Sequence, residues 1–193
     1  MEHDQLYSFA FRGLLAHEAL AKTQVLPRFP MSAHIDEEVA CKLSLDILDD
    51  ELVAKARRMS VVYTAIAGFE NSVRKLISSI LLEEKGENWW VAGVSQKIRQ
   101  RAEGLLEEEK KVKWHTQRGN DLINYTTLND LVSIMRNNWE SFEPYVESIE
   151  WAANIFDSIE RSRNVIMHSG MLEKEDIERL GIYIRDWVKQ VGT

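Results

Sequence analysis

The run from Met59 to Leu82, MSVVYTAIAGFENSVRKLISSILL, decides the fold class. Its apolar positions Val62, Ile66, Phe69, Val73, Leu76 and Ile80 advance by alternating steps of four and three. That spacing keeps one stripe of a helix turned toward a partner surface. The helix is expected from about Ile47 to Glu84, with Ser44 or Asp46 as its cap and Gly86 as its left-handed stop. Such a length leaves room for a break near Arg57–Met59.

The same period extends in both directions. Upstream, Leu6, Phe9, Ala10, Leu14 and Leu20 share a side of a helix over about Gln5–Thr23. Pro27 and Pro30 end it, and a connector is expected up to about Asp36. Downstream, residues 87–126 read as an irregular excursion containing one helix, Ser95–Leu106. Thr127–Asn137 is a short helix with Leu128, Leu131, Val132 and Met135 inward. Trp139, Phe142 and Pro144 form a bend. A helix over Val146–Met167 carries Ile149, Ala152, Ala153, Phe156, Ile159 and Ile166, and Ser169-Gly170 breaks it. A last helix, Lys174–Val191, turns Ile177, Leu180, Ile184 and Val188 to one side. No strand of more than about five residues is expected, so the chain is all-α. It divides into an N-terminal helical extension, 1–58, and a helical domain, 59–193.

Composition narrows the function classes. The chain has 193 residues, 24 Lys+Arg against 31 Asp+Glu, and a net charge of −7. A core forms at this length without metals or staples. With 3 Pro and 9 Gly, turn-dense all-β architectures are disfavoured. No apolar run is long enough to cross a bilayer, and Met1-Glu2-His3-Asp4 lacks a basic signal-peptide start. Cys41 stands alone, which excludes an internal disulfide and suits a reducing compartment. A soluble cytoplasmic protein is expected, with no membrane partner.

The acidic total disfavours indiscriminate duplex binding. Local charge differs: Lys97–Arg118 holds seven basic and four acidic residues, +3 within a −7 chain. Of the tryptophans, Trp114 alone is a candidate base-stacking residue, beside Lys113, His115 and Arg118. The five histidines have no metal-ligand spacing, and no phosphate loop or dinucleotide fingerprint occurs, so neither a metal nor a cofactor is expected.

One cluster stands apart, Arg161-Ser162-Arg163-Asn164-Val165-Ile166-Met167-His168-Ser169-Gly170. The inward stripe of its helix has one gap, and Arg163 fills it. A cation there needs a core-edge carboxylate, a bound anion or a wet cleft. Asn164 and His168 are four residues apart and about 40° around the helix, whereas Arg163 and His168 are about 140° apart. They share a target if His168 sits at a frayed end, if the guanidinium reaches around, or if two copies of the helix pack about a two-fold axis. Imidazole can take a proton from a hydroxyl and return one to a leaving group near neutral pH. A guanidinium fork fits phosphate oxygens, and an Asn amide can orient the His or a ribose oxygen. With the substrate's own 2′-hydroxyl as nucleophile, RNA would be cut without a metal, leaving a 2′,3′-cyclic phosphate and a 5′-hydroxyl. Cations at a helix C-terminus also favour the dipole by roughly 0.3–1 kcal/mol each, so the same spacing suits a purely structural role.

Arg163-Asn164-x-x-x-His168, on the penultimate helix of an all-α domain, resembles the signature of the HEPN superfamily (higher eukaryotes and prokaryotes nucleotide-binding). Phe69-Glu70-x-x-x-Arg74-Lys75-Leu76-Ile77, Asn88-Trp89-Trp90, Tyr125-x-x-x-x-Asp130-Leu131 and Asn138-Trp139-x-x-Phe142 are similar to one branch. That branch is typified by the HEPN domain of the yeast nuclear messenger-RNA surveillance endoribonuclease, and it includes bacterial defence-associated relatives. The resemblance implies an antiparallel helical bundle that forms a homodimer, with the Arg/His motifs meeting at the interface as a metal-independent ribonuclease site. It implies that Arg163 binds the scissile phosphate, Asn164 orients and His168 is the general acid/base. Glu70 and Arg74 would line or brace the cleft, against the alternative of a helix-surface ion pair. Val165 and Met167 depart from the small residues of the branch. RNA is the implied substrate, a toxin or defence effector the implied role, and a neutralising or regulatory protein the implied further partner. Two alternatives stand beside it: a catalytically silent dimer binding a protein or nucleotide, and a monomeric bundle.

Overall fold

In a computed structural model, residues 33–192 are described, and no strand occurs among them. The described residues up to Val53 and those from Ala54 onward form separate compact units. The expected helix over Gln5–Thr23 lies outside the described residues.

In the first unit, α1 spans Ala33–Lys42, so the expected connector already gives way to helix three residues before Asp36. A 3-10 turn follows at Leu45–Ile47. Ser44 precedes it at φ 52° and makes no side-chain cap, and Asp46 lies inside the turn. The cap of the next helix is instead Asp49, whose Oδ1 accepts from the backbone N–H of Glu51 (3.0 Å) and Leu52 (3.1 Å).

That helix, α2, runs unbroken through Asp50–Lys85, and no break occurs at Arg57–Met59. Ala54, Lys55, Ala56, Arg57 and Arg58 are all strong helix formers, so nothing there interrupts it. Gly86, at φ 68°, ends the helix. The buried stripe is Met59, Val62, Ile66, Phe69, Val73, Ile77 and Leu81. Beyond Val73 it steps by four twice, so Ile77 and Leu81 replace the expected Leu76 and Ile80, which are half-buried. Successive steps of four advance the contact line by about 40° each around the helix.

The excursion after α2 is more regular than expected. It contains α3 (Trp89–Gly93), α4 (Gln96–Lys111) and a 3-10 turn at Leu122–Tyr125, leaving 112–121 as loop. Helix α4 continues five residues past Leu106 through its charged run, where Lys110 pairs with Glu107 at 2.8 Å. Next come α5 (Leu128–Asn137), α6 (Trp139–Phe142), α7 (Ile149–Met167) and α8 (Lys174–Gln190). Thr127 and Asp130 form a capping box at α5. Helix α7 starts at Ile149 because Ser148 Oγ accepts from Trp151 N–H (3.1 Å), which leaves Val146 buried in the preceding turn.

Helix α7 packs against α5 and α8. Phe69 of α2, Phe156 of α7 and Trp187 of α8 meet at centroid distances of 5.0–5.8 Å, with Trp151 stacked on Trp187. Trp187 therefore supplies the inward anchor of α8, and the expected Val188 is exposed. Asn138 Nδ2 donates to the carbonyls of Gly93 and Ile134 (2.7 Å each), which ties the end of α3 to the α5–α6 junction.

Candidate active site

Arg163 lies on α7 one turn beyond buried Ile159, where the inward stripe meets the edge of the core. Its carboxylate partner is Glu70: Arg163 Nε is 3.1 Å from Glu70 Oε1. The other oxygen of Glu70 accepts from Arg74 Nη2 at 3.1 Å. Arg74 also donates to Thr126 O (3.2 Å) and Asn71 Oδ1 (3.2 Å), while its Nε is buried with no partner among the described residues. Glu70 and Arg74 are thus more than a surface pair. Their side chains are 12% and 14% exposed, low enough that the shared carboxylate is needed to offset desolvation of two guanidinium groups. Arg163 is 40% exposed, and because it is held through Nε, its terminal nitrogens remain as a donor edge.

The five residues after Arg163 are built differently. His168 caps α7, its own N–H donating to Asn164 O at 3.2 Å. Ser169 adopts φ 60°, its N–H donating to Ile166 O (3.0 Å), and Gly170 N–H donates to Val165 O (2.8 Å). Together these bonds close the helix end in a six-residue return whose left-handed residue is Ser169. Glycine is required one place later, since a Cβ on Gly170 would lie 2.7 Å from Val165 Cγ1 and 2.8 Å from Val165 O. Leu172 N–H then donates to Met59 Sδ at 3.4 Å, which fastens the loop to α2. Asn164 and His168 are both exposed.

Arg163, Glu70 and Arg74 form part of the wall of a cleft of about 620 Å³, together with Tyr63, Arg101, Arg118 and Met167. The wall carries four arginines and two glutamates, so the hollow is rich in guanidinium groups. Asn164 and His168 do not line it. The structure therefore gathers Glu70, Arg74 and Arg163 and leaves the other two motif residues outside, beside the rim residue Met167.

Arg101 and Arg118 belong to the cleft and were legible only as members of the positive segment. Arg101 pairs with Asp130, the capping-box acid of α5. Arg118 Nε is 2.8 Å from Glu109 Oε1, and its guanidinium lies 5.5 Å from the centroid of the Tyr125 ring. Glu109 also accepts from the N–H of Arg118 (3.1 Å) and the hydroxyl of Tyr125 (2.9 Å). The Arg118 N–H holds the Glu109 carboxyl below its ordinary pKa. Burial, ahead of the adjacent Glu109 carboxylate, pushes the Tyr125 phenol up. Among the described residues no cluster of His, Cys, Asp or Glu could hold a metal ion, and no helix is long and apolar enough to cross a membrane.

No curated protein and no solved structure matches this chain. A family model does, the one described as Swt1-like HEPN, over residues 65–192. That span covers well over half of the sequence and every motif from Phe69 to His168. The chain therefore belongs to the Swt1-like HEPN family.

Proposed function

We propose that the chain is a metal-independent endoribonuclease, acting as a homodimer in which Arg163, Asn164 and His168 of two copies converge on one RNA linkage. The observation that carries this reading is Arg163 at the rim of an arginine-rich cleft, tethered through Nε with its terminal donors left over. Membership of a family in which ribonuclease activity is common supports it. In the proposed reaction His168 takes the proton of the 2′-hydroxyl, whose oxygen attacks the adjacent phosphorus. Arg163 neutralises charge on the phosphoryl oxygens as the bond to the 5′-oxygen breaks. The imidazolium so formed returns the proton to the leaving 5′-oxygen. Asn164 orients the imidazole or a ribose oxygen. Exposed Val165, Met167 and Met171 beside the motif give a second copy apolar surface to cover. A toxin or defence role, a place in the branch of the yeast surveillance endoribonuclease, and a partner-binding part for residues 1–58 belong to the same proposal.

The exposure of Asn164 and His168, away from the cleft of their own chain, favours a second reading, a silent dimer that binds a protein or nucleotide. Labelled RNA incubated with the purified protein in EDTA separates the two. Cleavage that is lost in His168→Ala and Arg163→Ala, with unchanged circular dichroism, supports the enzyme. No cleavage at micromolar protein, alongside an intact dimer, selects the silent reading. Arg163→Lys should be severely impaired, because an ammonium lacks the planar fork.

A further inference from the structure

Trp114 is 86% exposed, whereas Trp187 is buried and the other four tryptophans are half-buried against the core. Leaving an indole in water forgoes one of the largest apolar burials a side chain offers. The loop that displays it is nonetheless well anchored. Glu109, at the end of α4, receives both the N–H and the guanidinium of Arg118, and the single Tyr125 hydroxyl hydrogen is shared between Glu109 Oε2 (2.9 Å) and Gly119 O (3.2 Å). His115 N–H donates to Val112 O, its Nδ1 is 2.9 Å from Thr116 O, and its ring meets the Trp114 ring edge-on at 5.7 Å.

This aromatic pair adjoins the arginine cleft. A second, shallower groove includes Val112 and His115, and it shares Leu105 and Arg118 with the cleft. The two hollows thus meet at Arg118, and the second, which Glu108 and Glu109 also line, reaches His115, the neighbour of Trp114. Lys111 and Lys113 flank the indole in sequence. Basic side chains beside an exposed aromatic face are features of a single-strand platform. Inside a duplex both faces of a base are covered by its stacked neighbours, so the occupant must be unstacked and unpaired.

We propose that Trp114, supported by His115 and Arg118, stacks an unpaired base of single-stranded RNA leaving the arginine cleft, which makes single-stranded RNA the preferred substrate. This rests on the ribonuclease reading for the identity of the ligand, but it concerns binding and can fail separately. Fluorescence anisotropy with a short labelled oligoribonucleotide, alone and annealed to its complement, tests it on the full chain. Trp114→Ala should weaken binding of the unpaired strand about tenfold and leave duplex binding unchanged, while Trp114→Phe stays within about threefold of the parent. Equal affinity of Trp114→Ala and parent for the unpaired strand overturns the proposal even if RNA is cut, as does failure of the parent to bind RNA. A selective loss of single-strand affinity sustains it even if no RNA is cut, and then only the catalytic reading falls.

Discussion

Arg163 and His168 are five residues apart on one helix end, and their surroundings could hardly differ more. Arg163 joins a network of side chains from two helices, with Glu70 shared between two guanidinium groups. His168 stands on a backbone turn, its imidazole exposed. The arginine is oriented within one protomer; the histidine has its backbone fixed and its side chain left to be placed. That division fits the proposed site, in which a second copy would help to place the imidazole.

The sharpest way to break this contrast is to mix inactive variants. Arg163→Ala and His168→Ala, each without detectable cleavage alone, should regain a measurable part of parental activity when refolded together. The reason is that the mixed dimer holds one arginine and one histidine from opposite copies. No recovery would mean that both residues act within one subunit or that all four are needed.

Stability separates the two ends next. Glu70→Ala should lower stability by about 2–4 kcal/mol in urea denaturation, since Arg74 is left charged and largely buried. Arg163→Ala should lower it by no more than about 1 kcal/mol, because the arginine is 40% exposed and Glu70 keeps Arg74. Gly170→Ala should destabilise by about 1–3 kcal/mol through the clash with Val165 O and reduce cleavage by misplacing His168. Its neighbour should show the opposite sign: Ser169→Gly relieves the left-handed backbone and gains up to about 1 kcal/mol.

The smallest effect concerns the 112–121 loop. Glu109 has a lowered pKa in the folded chain, so its contribution is fully present above the unfolded carboxylate value of about 4.3 and is lost as pH falls through the folded value. The stability difference between parent and Glu109→Gln, followed by denaturation across pH, should therefore be constant near neutrality and close in acid.

Much of the fold was legible because a single period governs it. The stripe Val62, Ile66, Phe69 and Val73 was readable from spacing alone, as were Leu128, Leu131, Val132 and Met135. Spacing fails where partners change along a helix: the contact line of α2 drifts onto Ile77 and Leu81, and α8 buries Trp187 in place of Val188. At the site, the gap filled by Arg163 called for a core-edge carboxylate, a bound anion or a wet cleft, and Glu70 stood out on the long helix only as the partner of Arg74. What spacing could not reveal is that Glu70, Arg74 and Arg163 are one network, or that Arg101, paired with the capping-box acid of α5, lines the same cleft. Those ties link residues far apart in sequence, and no local pattern encodes them.

The bond from Leu172 N–H to the sulfur of Met59 bears on how the helix end can respond to a docking partner. A thioether is a weak acceptor, so the strand of chain just past the imidazole is fastened less firmly than the carbonyl-bonded return before it. Its amide hydrogen should exchange with deuterated water sooner than those of α7. The weakest tie of this stretch thus lies four residues beyond His168, where a docking partner would meet the least resistance.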